Sequence, residues 1–480
     1  MTRSRSGQEI RARLGHPIID ADGHSQEFVP ALDEHLRKVG ISADVYELIA
    51  GLMGPGTSDW ARLSPSERQH VRATRPPWWA IPTQNTLDLA TVTVPGLLYK
   101  RMDELGLDFT VVYPTLALGF PSIRNDELRA AACRATNSYH AELYAEYKDR
   151  MTPVALIPMH DPNEAIDELE FAVEQLGLKA VMIAGYVSRP IAAVVERDPA
   201  LAEYARWIDT YGLDSAHDYD PFWKRCSELR VSPATHGSTM GWDARRSISN
   251  YMYNQIGHFA AAGDALCKSL FMGGVTHRFP DLRFSFLEGG VAWAATLLGD
   301  QISHWSKRRA SQLFHYDPAA IDLDRLAELI AEHASDPGWA VQSHAAGHRL
   351  GGGVTEPRDD WAAAQIESVE DLVDLFVPRF FFGCEADDPM VTTAFDTLTN
   401  PQGSRLNAMF SSDIGHWDVP EMSEVLAEAT EPVEKEWMSR EDFRDFAFTN
   451  AVRFYTDTNP TFFEDTVIET EANRPKHAPS

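Results

Sequence analysis

Short apolar runs alternate with longer amphipathic segments along most of this 480-residue chain. Runs such as Phe-Thr-Val-Val-Tyr at 109–113 are rich in β-branched and aromatic residues, which is typical of buried strands. The segments between them space apolar residues three and four apart, which indicates helices. Predicted strands lie at 17–21, 109–113, 154–158, 177–183, 231–235, 282–287, 380–383 and 408–411. Predicted helices lie at 97–107, 124–150, 161–176, 221–229, 248–271, 291–309, 389–398 and 440–455.

Eight strands that alternate with helices predict a parallel sheet covered by helices, and eight such units favour closure into a (β/α)8 TIM barrel. A doubly wound open sheet is the alternative, but no glycine-rich dinucleotide fingerprint follows any strand. Residues 16–460 are predicted to form one barrel. Insertions at about 40–95 and 314–364 are expected to cover its C-terminal mouth, and 461–480 form a polar tail.

The composition narrows the function classes. A net charge of −28 argues against nonspecific binding to nucleic acid or to anionic membranes, although it names no substrate. A small-molecule substrate is the expected partner. The four cysteines form no C-x-x-C pair, which favours buried thiols over a disulfide framework. No signal peptide and no membrane-spanning run are predicted, so a cytoplasmic protein is expected. A homo-oligomer is compatible with this composition.

Candidate chemistry begins in the stretch Ile-Ile-Asp-Ala-Asp-Gly-His at 18–24. In a strand, alternate side chains share a face, so Asp20, Asp22 and His24 are expected on one side. A carboxylate beside an imidazole at a strand end can begin a metal site. The alternative is a strand that ends in an Asp/Gly turn.

Four of the other predicted strands end in similar groups. In a barrel the working residues sit at the C-terminal strand ends. His236 ends the fifth strand, Glu288 the sixth, Glu385 the seventh and Asp413 the eighth. We therefore predict a metal site formed by Asp22, His24, His236, Glu288 and Asp413.

Three stretches carry a resemblance to a known family. They are Ile-Asp-Ala-Asp-Gly-His at 19–24, Phe-Pro-Asp-Leu-Arg-Phe-Ser-Phe-Leu-Glu-Gly-Gly at 279–290, and Phe-Ser-Ser-Asp-Ile-Gly-His-Trp-Asp at 410–418. Together they resemble the amidohydrolase superfamily, in its amidohydrolase-related (family 2) branch. The resemblance implies a (β/α)8 barrel with a metal at its mouth. Two positions depart from the family pattern: Asp22 stands where His or Glu is common, and Glu288 stands where His is common.

These departures favour a carboxylate-rich centre. Three carboxylates and two imidazoles resemble the ligands of di-iron or di-manganese sites more than those of a histidine-rich zinc site. One or two divalent ions (Fe, Zn or Mn) are expected, with dinuclear iron the sharpest hypothesis. Glu288 would bridge or bind a second ion, or it would orient His236 from outside the ligand set. Lys179 lies at the wrong end of its strand to bridge two metals.

The resemblance implies a metal-dependent hydrolase. Metal-activated water would attack a carboxyl derivative, with Asp413 as the acid/base and His236 near the polarised carbonyl. The Asp-x-His site resembles diiron thioesterases acting on acyl-CoA intermediates of terpenoid biosynthesis, so a CoA thioester with a bulky apolar acyl group is the specific hypothesis. One alternative is a metal-dependent decarboxylase of an aromatic or dienoic acid. Another is an inactive barrel that only binds a ligand.

Four further residues are weaker candidates for substrate binding. His416 would contact substrate or cap the following helix, and Glu385 would line the mouth or act structurally. Trp78 and Trp79 would line a pocket or pack on the barrel.

Overall fold

The computed structural model describes residues 6–40, 59–76, 84–236, 246–317, 320–336, 338–339 and 359–474. These residues contain ten strands: β1 Ile19–Ser25, β2 Phe109–Pro114, β3 Met151–Ile157, β4 Ala180–Ala184, β5 Val187–Pro190, β6 Arg206–Asp209, β7 Pro233–His236, β8 Phe284–Phe286, β9 Phe380–Glu385 and β10 Asn407–Ser411. Eight of them form one parallel sheet in the order β1-β2-β3-β4-β7-β8-β9-β10. Strands β5 and β6 form a separate antiparallel hairpin between β4 and β7.

The first and last strands of the sheet meet at their C-terminal ends. Asp413 N donates to Asp22 O at 3.0 Å, and His24 N donates to Ile414 O at 2.9 Å. These bonds join β1 to the segment after β10 and bring the sheet round on itself. The predicted (β/α)8 barrel is confirmed.

Helices surround the barrel and connect its strands. The described α-helices are Gly7–Arg11, Val29–Lys38, Asp59–Arg62, Pro65–Val71, Thr86–Thr93, Pro95–Leu105, Asp126–Leu143, Pro162–Glu170, Ala192–Val195, Asp220–Leu229, Tyr251–Gln255, His258–Met272, Val275–Arg278, Ala292–Arg308, Leu323–His333, Val369–Phe376, Val425–Glu434, Arg440–Arg444, Asn450–Thr456 and Glu469–Ala472. In the described part of the chain no helix is long and apolar enough to cross a lipid bilayer.

The barrel strands are buried on both faces, which explains why they read as continuous apolar runs. The outward face of β8 shows the packing: Trp223, fully buried in the helix Asp220–Leu229, meets the Phe284 ring at a centroid distance of 5.5 Å. The four cysteines are all buried and unpaired. The strands thus give a rigid frame whose C-terminal ends can hold side chains in fixed positions.

Several elements differ from the sequence prediction. The helix predicted at 248–271 is two helices, because the chain breaks at Gly257, whose φ is +71°. The helix predicted at 389–398 is a shorter 3₁₀ segment, Pro389–Phe395. The β5–β6 hairpin was not predicted, since its polar and proline-containing strands lack the apolar signature of the barrel strands.

Much of the two predicted insertions lies outside the described residues, namely 41–58, 77–83 and 340–358. The described end of the first insertion packs on the barrel: Gln26 N, just after β1, donates to Val92 O at 2.9 Å. In the C-terminal segment, Phe462 and Phe463 are buried. The described part of this segment therefore has an apolar anchor.

Candidate metal centre

Strand β1 carries the first two candidate ligands, Asp22 and His24, both completely buried. Its pairing with β2 is irregular between Asp20 and Gly23. Asp20 therefore does not join Asp22 and His24 as predicted. Its carboxylate instead accepts hydrogen bonds from Thr110 and Ser412.

Asp22 lies between two imidazoles. Its Oδ1 is 3.4 Å from His24 Nε2 and 3.6 Å from His236 Nε2, at the end of β7. The two Nε2 atoms are 3.2 Å apart. These three groups come from opposite sides of the barrel and converge on one point, as a metal site requires.

The protonation of His24 also suits a ligand. Its Nδ1 lies 3.1 Å from Pro114 O, and since a carbonyl only accepts, the proton belongs on Nδ1. The lone pair of Nε2 then faces Asp22 and His236. Burial lowers the pKa of His24, and it lowers the pKa of His236 to about 4, so both rings are neutral near pH 7.

The loop after β10 adds Asp413 and His416. Asp413 Oδ1 is 3.4 Å from His24 Nε2 and 2.6 Å from His416 Nδ1. The His416 ring stacks on His24 with centroids 3.6 Å apart. Gly415 permits this approach, because its φ is +101° and an added Cβ would lie 3.0 Å from His24 O. His416, expected to contact substrate or to cap the following helix, thus lies within the cluster.

Glu288 completes the cluster from the end of β8. Its Oε2 lies 3.5 Å from His236 Nε2, and its Oε1 lies 3.4 Å from His416 Nδ1. Glu288 and Asp413 both have a left-handed backbone, with φ of +56° and +51°. This conformation is uncommon for residues other than glycine and is often found at functional sites.

The donor set fits a divalent cation. Both oxygens of Asp22 and Oε2 of Glu288 are buried without a hydrogen-bond donor among the described residues. Burial, together with the nearby Glu288 carboxylate, raises the pKa of both Asp22 and Asp413. Buried carboxylates that repel one another in this way are stabilised by a bound cation. Asp22, His24, His236, Glu288, Asp413 and His416 are the residues available to hold it.

Of the three other residues predicted to bind substrate, the structure describes Glu385 but not the two tryptophans. Glu385 ends β9 and is partly buried. Burial, followed by repulsion from Glu288, raises the pKa of Glu385 to about 8, so it lies in the electrostatic field of the cluster. Trp78 and Trp79 lie outside the described residues.

Sequence reasoning missed three aromatic neighbours of the cluster. The Tyr113 ring, at the end of β2, lies 5.5 Å from the His236 ring. The centroid of the Phe259 ring lies 5.8 Å from the centroid of the His236 ring. Tyr251 packs against Trp417 at 6.2 Å. Tyr113 could have been found as the last side chain of a predicted strand, whereas Tyr251 and Phe259 follow a loop and carry no such signal.

Comparison with known proteins shows the family of this chain. The sequence profile of the amidohydrolase-2 family matches residues 90–456, which is well over half of the chain. This span contains His236, Glu288 and Asp413 but begins after Asp22 and His24. The gamma-resorcylate decarboxylase of Polaromonas sp. (strain JS666 / ATCC BAA-500) is 29% identical over 135 residues, or 28% of this chain. The aligned stretch spans only about a third of that relative, 35% of its length.

Solved structures share the fold at low identity. An amidohydrolase from Mycobacterium avium subsp. paratuberculosis K-10 has a TM-score of 0.50 and 17% identity, covering 92% of this chain and 100% of that one. A dihydroxybenzoic acid decarboxylase from Polaromonas sp. JS666, with bound manganese and the inhibitor 2-nitroresorcinol, has a TM-score of 0.47 and 15% identity over 92% of this chain and 97% of that one. The profile match shows that the chain belongs to the amidohydrolase-2 family, a family of metal-dependent enzymes.

Proposed function

We propose that this protein is a metal-dependent decarboxylase that removes the carboxylate from a hydroxylated aromatic acid without oxidation. The observation that carries this proposal is the contact of Asp413 Oδ1 with His416 Nδ1, 2.6 Å apart, within a cluster of candidate metal-ligand groups. Such a pair can hold a proton next to a bound substrate. The two decarboxylases among the similar proteins support the same reaction class.

Asp22, His24, His236 and Asp413 would hold the first ion. When bound, a divalent metal would anchor the negatively charged oxygens of the substrate and stabilise charge that develops on them. Carboxylate-rich ligand sets favour manganese or iron over zinc, and the similar dihydroxybenzoic acid decarboxylase contains manganese.

Glu288 and His416 support a second ion. The two oxygens of Glu288 face different imidazoles, Oε2 towards His236 and Oε1 towards His416. The Glu288 carboxylate, together with His416, would be available to hold a second cation. We therefore propose a site that can take two ions per chain.

The proton chemistry falls to Asp413 and His416. With only the first ion bound, His416 would not be a ligand; burial opposes its protonation, but the nearby Glu288 carboxylate raises the pKa of its imidazole, which favours the protonated ring. A His416 that holds a second ion would be neutral and would leave the proton transfer to Asp413 alone. Asp413, in contact with the His416 imidazole, can pass the proton to the carbon of the substrate's aromatic ring that bears the carboxylate. The new C–H bond forms, the C–C bond to the carboxylate breaks, and carbon dioxide leaves. Water or bulk acid then restores the proton on the pair.

The surroundings of the cluster suit an aromatic substrate. Phe259 and the Tyr251–Trp417 pair lie close to it, and Trp417 is only partly buried. Planar rings beside the partly exposed His416 offer faces for stacking with a flat substrate. This arrangement supports an aromatic acid over a flexible acyl chain.

Hydrolysis of a thioester remains the second candidate. The observation that favours it is Glu288, because a carboxylate here replaces the imidazole expected after the sixth barrel strand. A thiolate needs a proton donor less than a leaving amine does, so a site without that imidazole could still serve a thioester. None of the similar proteins reported above supports it. The relatives therefore favour the decarboxylase.

A substrate panel distinguishes the two reactions. Manganese-loaded protein is incubated with hydroxybenzoates and, separately, with acyl-CoA thioesters, while carbon dioxide and free thiol are measured. Release of carbon dioxide from a hydroxybenzoate supports the decarboxylase. Release of thiol alone supports the hydrolase, and neither product from a protein that binds both ligand classes would favour a binding role.

A further inference from the structure

Asp20 holds four hydrogen bonds although it contributes no atom to the ligand cluster. Its side chain is completely buried. Oδ1 accepts from Ser412 N at 2.9 Å and from Asp22 N at 3.2 Å. Oδ2 accepts from Ser412 Oγ at 2.7 Å and from Thr110 Oγ1 at 2.9 Å. A single carboxylate thus joins three segments of the barrel.

Two of these segments carry candidate metal ligands. Strand β1 carries the candidate ligand Asp22. The segment after β10 carries the candidate ligand Asp413, which directly follows Ser412. Ser412 Oγ also accepts from Ile414 N at 3.3 Å, so this hydroxyl contacts the chain on both sides of Asp413. The left-handed backbone of Asp413 needs such support, because a non-glycine residue with φ of +51° is strained.

The local sequence makes room for this arrangement. An added Cβ at Gly23 would lie 2.5 Å from Asp20 Oδ2 and 2.6 Å from Thr110 Oγ1. A side chain at position 23 would therefore displace the carboxylate from both partners. The glycine between Asp22 and His24 keeps Asp20 within reach of β2.

We propose that Asp20 is a positioning residue that sets the separation of the two ligand carboxylates, Asp22 and Asp413, where β1 meets the segment after β10. This inference rests on the metal site proposed above. Residues that hydrogen-bond to metal ligands or to the backbone that carries them commonly change metal affinity 10- to 100-fold when removed. Asp20 acts through Ser412 on one side and through the Asp22 backbone on the other.

The alternative is that Asp20 only stabilises the fold, and two substitutions separate the roles. Ser412→Ala and Thr110→Val each remove one hydroxyl bonded to the same atom, Asp20 Oδ2. Ser412 directly precedes the candidate ligand Asp413, whereas Thr110 lies in β2, which carries no candidate ligand. A purely structural role predicts equal effects of the two substitutions on metal affinity, whereas a positioning role predicts an effect of Ser412→Ala alone.

The experiment titrates the metal-stripped full chain with Mn²⁺ and detects free Mn²⁺ by electron paramagnetic resonance, with thermal melting measured alongside. Both variants should lower the melting temperature by similar amounts. Ser412→Ala should weaken Mn²⁺ binding about 10-fold or more, whereas Thr110→Val should leave it unchanged. Asp20→Asn should weaken binding at least as much as Ser412→Ala.

Two results would overturn the inference. If the wild type binds Mn²⁺ and both hydroxyl variants bind it equally well, or both bind it equally weakly, the positioning role is wrong while the metal site stands. If the wild type binds no Mn²⁺, the metal site itself is wrong, and the positioning role falls with it.

Discussion

Oε1 of Glu288 lies 3.4 Å from Nδ1 of His416, although Glu288 follows β8 and His416 follows β10. This contact links the end of β8 to the loop after β10. It extends the cluster beyond the groups around Asp22, and under the proposal above it supplies groups that would hold a second cation.

His416→Gln should reduce the metal content from two ions per chain to one, since the second ion loses a nitrogen ligand. In protein loaded with one ion per chain it should also lower kcat, because the partner of Asp413 in proton transfer is lost. Metal analysis and steady-state kinetics measure the two effects. His304→Gln is the matched control, since His304 lies exposed on the helix Ala292–Arg308. Unchanged metal content in the His416 variant would contradict the assignment.

Asp413→Asn should lower kcat about 10²- to 10⁴-fold, the usual contribution of a positioned general acid or base. Most of the metal should stay bound, because the amide oxygen and the remaining ligand groups are still present. Turnover is measured together with metal content on the same sample. Activity near that of the wild type would show that another group supplies the proton.

Removal of the metal should destabilise the protein, because the buried carboxylates of the cluster would then repel one another. Adding Mn²⁺ back at about 100-fold above its Kd should restore about 2.7 kcal/mol of apparent stability. Thermal melting at increasing Mn²⁺ concentration measures this gain. Asp22→Asn should respond less, whereas the exposed Asp387→Asn should respond as the wild type does. A melting temperature independent of Mn²⁺ would argue against the site.

Lys179 should make stability depend on pH. Burial, followed by repulsion from Lys148, lowers the pKa of Lys179 from its usual 10.5 to about 8. Between these values the unfolded chain binds the proton and the folded chain does not, so folding gains stability as pH rises from 8 to 10.5. The advantage is complete above 10.5, shrinks as pH falls from 10.5 to 8, and is absent below 8.

This gain is measured by comparing the wild type with Lys179→Met in chemical denaturation at several pH values. The free energy of unfolding of the wild type should rise relative to the variant across that range. Lys224→Met, at a largely exposed lysine, should show no such change. A constant difference between the wild type and Lys179→Met would refute the shifted pKa.

The barrel and much of its site could be predicted from the sequence because both follow from local patterns. Strands buried on both faces give apolar runs such as 109–113, and the carboxyl ends of parallel strands meet at one mouth, which brought His236, Glu288 and Asp413 together. The place of His416 could not be predicted, since it depends on the left-handed turn at Gly415. The expectation that Asp20 shares a face with Asp22 and His24 fails, because strict alternation cannot foresee the irregular register in β1.

The measurement that tests the central proposal most directly is release of labelled carbon dioxide from a hydroxybenzoate carrying ¹³C in its carboxylate. The account predicts release by manganese-loaded wild type, loss after chelation, recovery when Mn²⁺ is returned, and little release by Asp413→Asn. Release that survives complete removal of metal, or thiol release from acyl-CoA with no carbon dioxide from any hydroxybenzoate, would contradict it.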